Sequence, residues 1–256
     1  MLDRVSVRVA NLLAAADPAA SSYNTANSPS ITLDIVSKAK ALDAELLLWW
    51  ESLPRDWIPI SVFKRDIPQE VIDVGLYGDS CDIYPDIIIC STINDWRIAR
   101  LKVLVRIAQL GGEEDKAQAI STIQDLADGI CATIPFCLGN RTSPLPIRMG
   151  GAIYPSLPND SVRQSHHITA AAWGGWYLCM PMTEVLKVGM YLREGQREWM
   201  LAQLARLAAA YDVDPEDQLR NARLREHWTS IHGYKSQSLV DQRISMPGVS
   251  QMKTIA

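Results

Sequence analysis

Apolar residues in this chain recur every three or four positions through one segment after another, and alternating apolar–polar patterns are nearly absent. That periodicity constrains the chain to helices rather than sheet. The clearest case runs from about Pro85 to Leu110, where Ile89, Ile93, Trp96, Arg100, Val103 and Ile107 fall on one stripe and Gly111-Gly112 closes the helix. Glu113, Glu114 and Asp115 then favour a new helix start through its dipole, and Pro135 is expected to end that helix at about Ile134.

Upstream, one helix is expected from Leu2 to Ala16, ended by Asp17-Pro18, and a second from Ile31 to Ser52, ended before Pro54. Ala19 to Ser30 is small and polar and reads as a loop. Pro54 to Tyr84 holds Pro54, Pro59, Pro68, Gly75 and Gly78, so it reads as connection, with Trp57 and Phe63 pinning it to the core. Leu138 to Ser165 reads as a long irregular stretch. The most apolar helix is expected from His166 to Arg193, bent by Gly174-Gly175 and Pro181. Gln196 to Tyr211 is another helix, and Asp214-Pro215-Glu216-Asp217 caps one more. The fold class expected is all-α, a single-domain array of about seven to nine helices. That domain takes residues 1–235, and 236–256 form a polar tail.

Hydrophobic residues make up 48% of the chain and charged residues 21%, enough for a sizeable core. The formal net charge of −4 gives no bulk attraction to nucleic acid or anionic lipid, though a local basic face stays open. The longest uncharged apolar run, Ile168 to Met182, is shorter than the ~20 residues of a membrane span. The N-terminus carries Asp3, Arg4 and Arg8 among its valines and does not read as a signal peptide. Cys81, Cys90, Cys131, Cys137 and Cys179 lack the CxxC spacing and sit largely in apolar runs. They are expected to be buried free thiols in a reducing, cytoplasmic setting.

Several short motifs follow in a suggestive order. Leu42-Asp43-Ala44-Glu45-Leu46 precedes Trp50 and Leu53-Pro54, and Tyr84-Pro85-Asp86 leads into Asn94-Asp95-Trp96-Arg97-Ile98-Ala99-Arg100. Ile130-Cys131-Ala132-Thr133-Ile134-Pro135-Phe136, Gly174-Gly175-Trp176-Tyr177-Leu178, Met180-Pro181-Met182 and Arg197-Glu198-Trp199 come after them. In this order, over roughly Leu2 to Ala209, they resemble the C-terminal half of the regulatory region of fungal zinc-cluster transcription factors. The resemblance implies a helical fold, a fungal source and a setting among natural-product biosynthesis genes. The six clustered cysteines of that family's DNA-binding module are missing, so no DNA binding through a zinc cluster is expected.

The candidate site residues come from two helices. Trp173, Trp176, Tyr177 and Met180 share a face at three- and four-residue spacing. They are either the wall of an apolar ligand cavity, with Trp96 opposite, or plain core. Arg97 is either a catalytic donor that holds a carboxylate or polarises a carbonyl, or the partner of Asp86, Asp95 or a helix terminus. His167, beside His166, is either a general acid–base or a solvated residue at the helix start. His227 and His232 lack a third ligand, and the Asp212–Asp217 acids fit capping better than metal binding. No phosphate loop, nucleophile elbow or zinc-protease motif is present.

The leading expectation is a stand-alone enzyme of natural-product biosynthesis that needs no cofactor and no metal. It would cyclise or isomerise an apolar terpenoid or polyketide. The rival is a ligand-sensing or protein-interaction domain of a transcription regulator, which would be nuclear; a third is a scaffold. Expected partners are an apolar substrate or metabolite, neither DNA nor membrane, with a homodimer compatible.

Overall fold

The computed structural model describes residues 2–16, 29–67, 69–138 and 170–211. These residues are mostly helical with little strand, as the periodicity requires. Helix α1 spans Leu2–Ala15 and buries Val5, Val9 and Leu12, spaced by four and three. Helix α2 spans Pro29–Glu51 and buries Ala39, Leu42, Leu46 and Trp49. Its start takes in Pro29 and Ser30, which the sequence suggested were loop; proline fits the first helical turn because its missing N–H has no partner there anyway. Helix α4, Ile87–Leu110, is the central element and touches α1, α2 and α5. Its first turn is capped by the Asp86 carboxylate, which accepts from the Ile89 N–H at 2.8 Å. Among the described residues no helix is long and apolar enough to cross a membrane.

The stretch from Pro54 to Tyr84 is not mere connection. It contains strands β1 (Ile60–Phe63) and β2 (Ser80–Ile83), with the short helix α3 (Gln69–Gly75) between them. The strands are antiparallel, with Ile60 opposite Ile83 and Phe63 opposite Ser80. Four residues carry too few alternations for a period of two to show in sequence. Long-range contacts decide the pairing instead: β2 packs on α5 and buries Cys81, Asp82 and Ile83. β1 is the outer strand, so Phe63 is 56% exposed and does not pin the segment. Trp57 is half-buried, and Ile67, Cys81, Ile83 and Tyr84 do the pinning.

Helix α5 runs from Glu113 to Leu138 and carries Pro135 inside it, past the expected stop. A proline in the last turn forfeits one backbone hydrogen bond. That loss is offset by burial, because Thr133 to Leu138 are all buried. A π-helical turn, Ala170–Gly174, leads into α6 (Gly175–Lys187). The turn sits where a bend was expected, and α6 accommodates Pro181. Helix α7, Gln196–Tyr211, closes the described chain. The expected long loop after Leu138, the cap at Asp214 and the tail from 236 lie outside the described residues.

Gly174 explains how α6 seats on α5. A Cβ at this position would overlap the carbonyl oxygen of Cys137. The two backbones therefore meet with no room for a side chain, and the neighbouring atom is main chain that cannot swing away. Gly174→Ala is expected to cost about 1–3 kcal/mol in urea denaturation through overpacking. An unchanged midpoint would mean that the helices do not touch there.

Candidate functional site

Arg97 lies at the centre of a buried polar cluster and is 6% exposed. It sits on α4, and its Nη1 donates to the Tyr84 hydroxyl and to the Asn94 Oδ1, each at 2.9 Å. Nη2 meets the Asp82 carboxylate at 3.3 Å. That carboxylate also accepts from Ser61 Oγ at 2.7 Å and, more loosely, from the Tyr84 hydroxyl at 3.4 Å. The Asn94 amide continues the chain to Thr133 Oγ1 on α5 at 3.3 Å. One guanidinium thus ties both strands, α4 and α5 together. Gly129 is the cover over it: a Cβ there would come within 2.9 Å of Arg97 Nε.

Burial works against the Arg97 charge, but the oxygens of Tyr84 and Asp82 more than offset it, so Arg97 holds its proton more tightly than an ordinary arginine. Burial also pushes the Tyr84 phenol well above its ordinary range, despite Arg97 beside it. The phenol therefore stays a neutral donor and acceptor. The arginine's partner is Asp82, not Asp86 or Asp95. Asp86 is occupied in capping α4, and Asp95 lies on the exposed side of the helix.

Trp96 occupies a different place, on the α2 side of α4. Its indole N–H donates to the Leu46 carbonyl at 2.7 Å, and its ring stacks on Trp50 with centroids 4.6 Å apart. Trp49 is tilted against it at 6.3 Å, and the Arg100 guanidinium lies 5.8 Å from its centroid. Arg100 is itself held by both carboxylate oxygens of Asp43, at 2.7 and 3.4 Å. This is a packed aromatic and cationic joint between α2 and α4.

The other aromatic candidates face outward. Trp173 is 54% exposed, Trp176 64% and Met180 59%, while Tyr177 is half-buried. Leu178, Met182 and Val185 take the buried side of α6. Trp176 and Met180 stand at i and i+4 on α6, and Trp173 precedes them in the π-helical turn; all three are exposed. No ring contact joins them to Trp96 among the described residues. Trp173, Trp176, Tyr177 and Met180 lie along the π turn and α6, while Arg97 and Trp96 belong to two other clusters. His167, with His166, His227 and His232, lies outside the described residues.

All five cysteines are free thiols; four are buried and Cys179 is half-buried. Cys90 and Cys137 are neighbours, with Sγ atoms 3.6 Å apart. Burial and the neighbouring Cys137 push the Cys90 thiol well above its ordinary range. The members of the polar cluster that residue patterns alone did not single out are Asp82, Ser61 and Gly129. Tyr84, Asn94 and Thr133 stand inside the motifs that carry the family resemblance, and that was the available signal for them. Among the described residues no three His, Cys, Asp or Glu side chains gather as metal ligands would. Compared with protein-family models, with curated proteins and with solved structures, the chain gives no match.

Proposed function

We propose that this chain is a helical binding domain that takes an apolar small molecule, of terpenoid or polyketide character, against the exposed segment of Trp173, Trp176 and Met180. The observation that carries the reading is the exposure of three large apolar side chains along one short segment, Trp173 in the π-helical turn and Trp176 and Met180 on α6. Exposed apolar patches on soluble domains mark binding surfaces, and tryptophan and methionine suit flat or irregular greasy ligands. The motif order supports a kinship with the regulatory half of fungal zinc-cluster regulators, and with it an all-α single domain of about seven to nine helices.

The enzyme reading places a reacting group beside the same segment. Arg97 is a poor candidate for it, since its donors are committed to Asp82, Tyr84 and Asn94. His167, which lies outside the described residues, remains the candidate acid or base for a cofactor-independent isomerisation or cyclisation.

The test is a fluorescence titration of the folded chain with an apolar probe such as an anilinonaphthalene sulfonate. Trp176→Ala is expected to weaken binding roughly tenfold, about 1.4 kcal/mol. The denaturation midpoint should barely move, because the ring is mostly in solvent. Binding equal to that of the parent chain would remove this segment as the site. Collapse of the fold would show that Trp176 is structural.

A further inference from the structure

We propose that Cys90 and Cys137 form a latent disulfide that closes when the protein meets a hydroperoxide, tying the start of α4 to the end of α5. The geometry points to this pair. The two Sγ atoms already lie 3.6 Å apart. A disulfide needs about 2.05 Å, so closure requires an approach of about 1.5 Å. Side-chain rotation with a small shift of either helix end supplies that. Both residues sit in terminal turns, Cys90 in the first turn of α4 and Cys137 in the last turn of α5. Transient local opening of the fold gives a water-sized oxidant access to sulfurs that are buried in the closed state.

The chemistry balances without a further reactant. One sulfur, ionised once local opening exposes it to water, attacks the peroxide O–O bond and becomes a sulfenic acid, and the departing hydroxide or alkoxide takes up the proton the thiol gave and leaves as water or an alcohol. The second thiol displaces the sulfenic hydroxyl, which leaves as water, and the S–S bond forms. Two thiols give up two electrons together, and the peroxide takes them. Cys179 on α6 is half-buried and so more accessible than the other four, and without a resolving thiol it would stop at sulfenic acid or go on to higher oxides. The bridge closes a long loop, α4 and most of α5, so the oxidised chain is the more stable one.

The experiment uses the full folded chain with hydrogen peroxide as the oxidant. Remaining thiols are then alkylated under denaturing conditions and the protein is digested without reductant. The expected result is a peptide pair linked through Cys90 and Cys137, two hydrogens lighter than the sum of its parts and separated by dithiothreitol. The denaturation midpoint should rise on oxidation of the parent chain and not of Cys90→Ala or Cys137→Ala. Full alkylation of both residues after peroxide treatment would overturn the proposal. So would a link that forms only in urea, or a dominant link to another cysteine. Because the linked peptide is read from the parent chain, a poorly folding variant leaves the test intact.

Discussion

Arg97→Met is expected to remove about 3–5 kcal/mol of folding stability. The methionine keeps most of the volume and strands the buried Asp82 carboxylate on β2, which has Ser61 and Tyr84 as its remaining donors. The cost comes from that uncompensated charge more than from the lost attraction. Adding Asp82→Asn to Arg97→Met should therefore recover part of the loss, and the two single effects should not sum. Arg97→Lys keeps the charge but cannot reproduce the fork that reaches Tyr84, Asn94 and Asp82 together, so it too should destabilise, by a smaller amount. Urea denaturation of the parent, Arg97→Met, Asp82→Asn, the double variant and Arg97→Lys measures all of this. An Arg97→Met chain within about 1 kcal/mol of the parent would be an ordinary substitution. It would return Arg97 to the list of residues free to meet a substrate.

Trp96→Ala should cost a similar amount, about 3–5 kcal/mol, for a different reason. It empties the joint between α2 and α4, where the ring fills the space beside Trp49 and Trp50. It also leaves the Leu46 carbonyl without its indole donor. Trp96→Phe separates the two contributions. It restores most of the apolar area and still lacks the N–H, so a residual loss of about 1 kcal/mol is expected. Binding of an apolar probe per folded molecule should be unchanged in both variants. Weakened binding with a small change in stability would instead put Trp96 in a ligand site.

The long helices were legible because their signals are local. Stripes such as Ile93, Trp96, Val103 and Ile107, and stops such as Pro54 and Gly111, act within a few residues. The hairpin was not legible, since β1 and β2 are four residues each and are paired across an intervening helix. Pro135 misled for a related reason: its penalty is local, whereas the burial of Phe136, Cys137 and Leu138 that outweighs it is tertiary. At the candidate site, the helical spacing of Trp173, Trp176 and Met180 was readable. The side that faces solvent was not, because periodicity groups residues on a face without saying what covers it. Arg97 shows the same limit. Its place beside Trp96 on α4 was visible, but its partner Asp82 comes from a strand that sequence patterns did not reveal.

Photoaffinity labelling with an apolar diazirine probe, followed by peptide mapping, asks directly where the folded chain binds a greasy small molecule. Labelling should concentrate on the peptide that spans Trp173 to Met180, and an excess of unlabelled probe analogue should suppress it. Label concentrated around Trp49, Trp50 and Trp96, or spread as it is on the urea-unfolded chain, would contradict the assignment of the Trp173 to Met180 segment as the binding face.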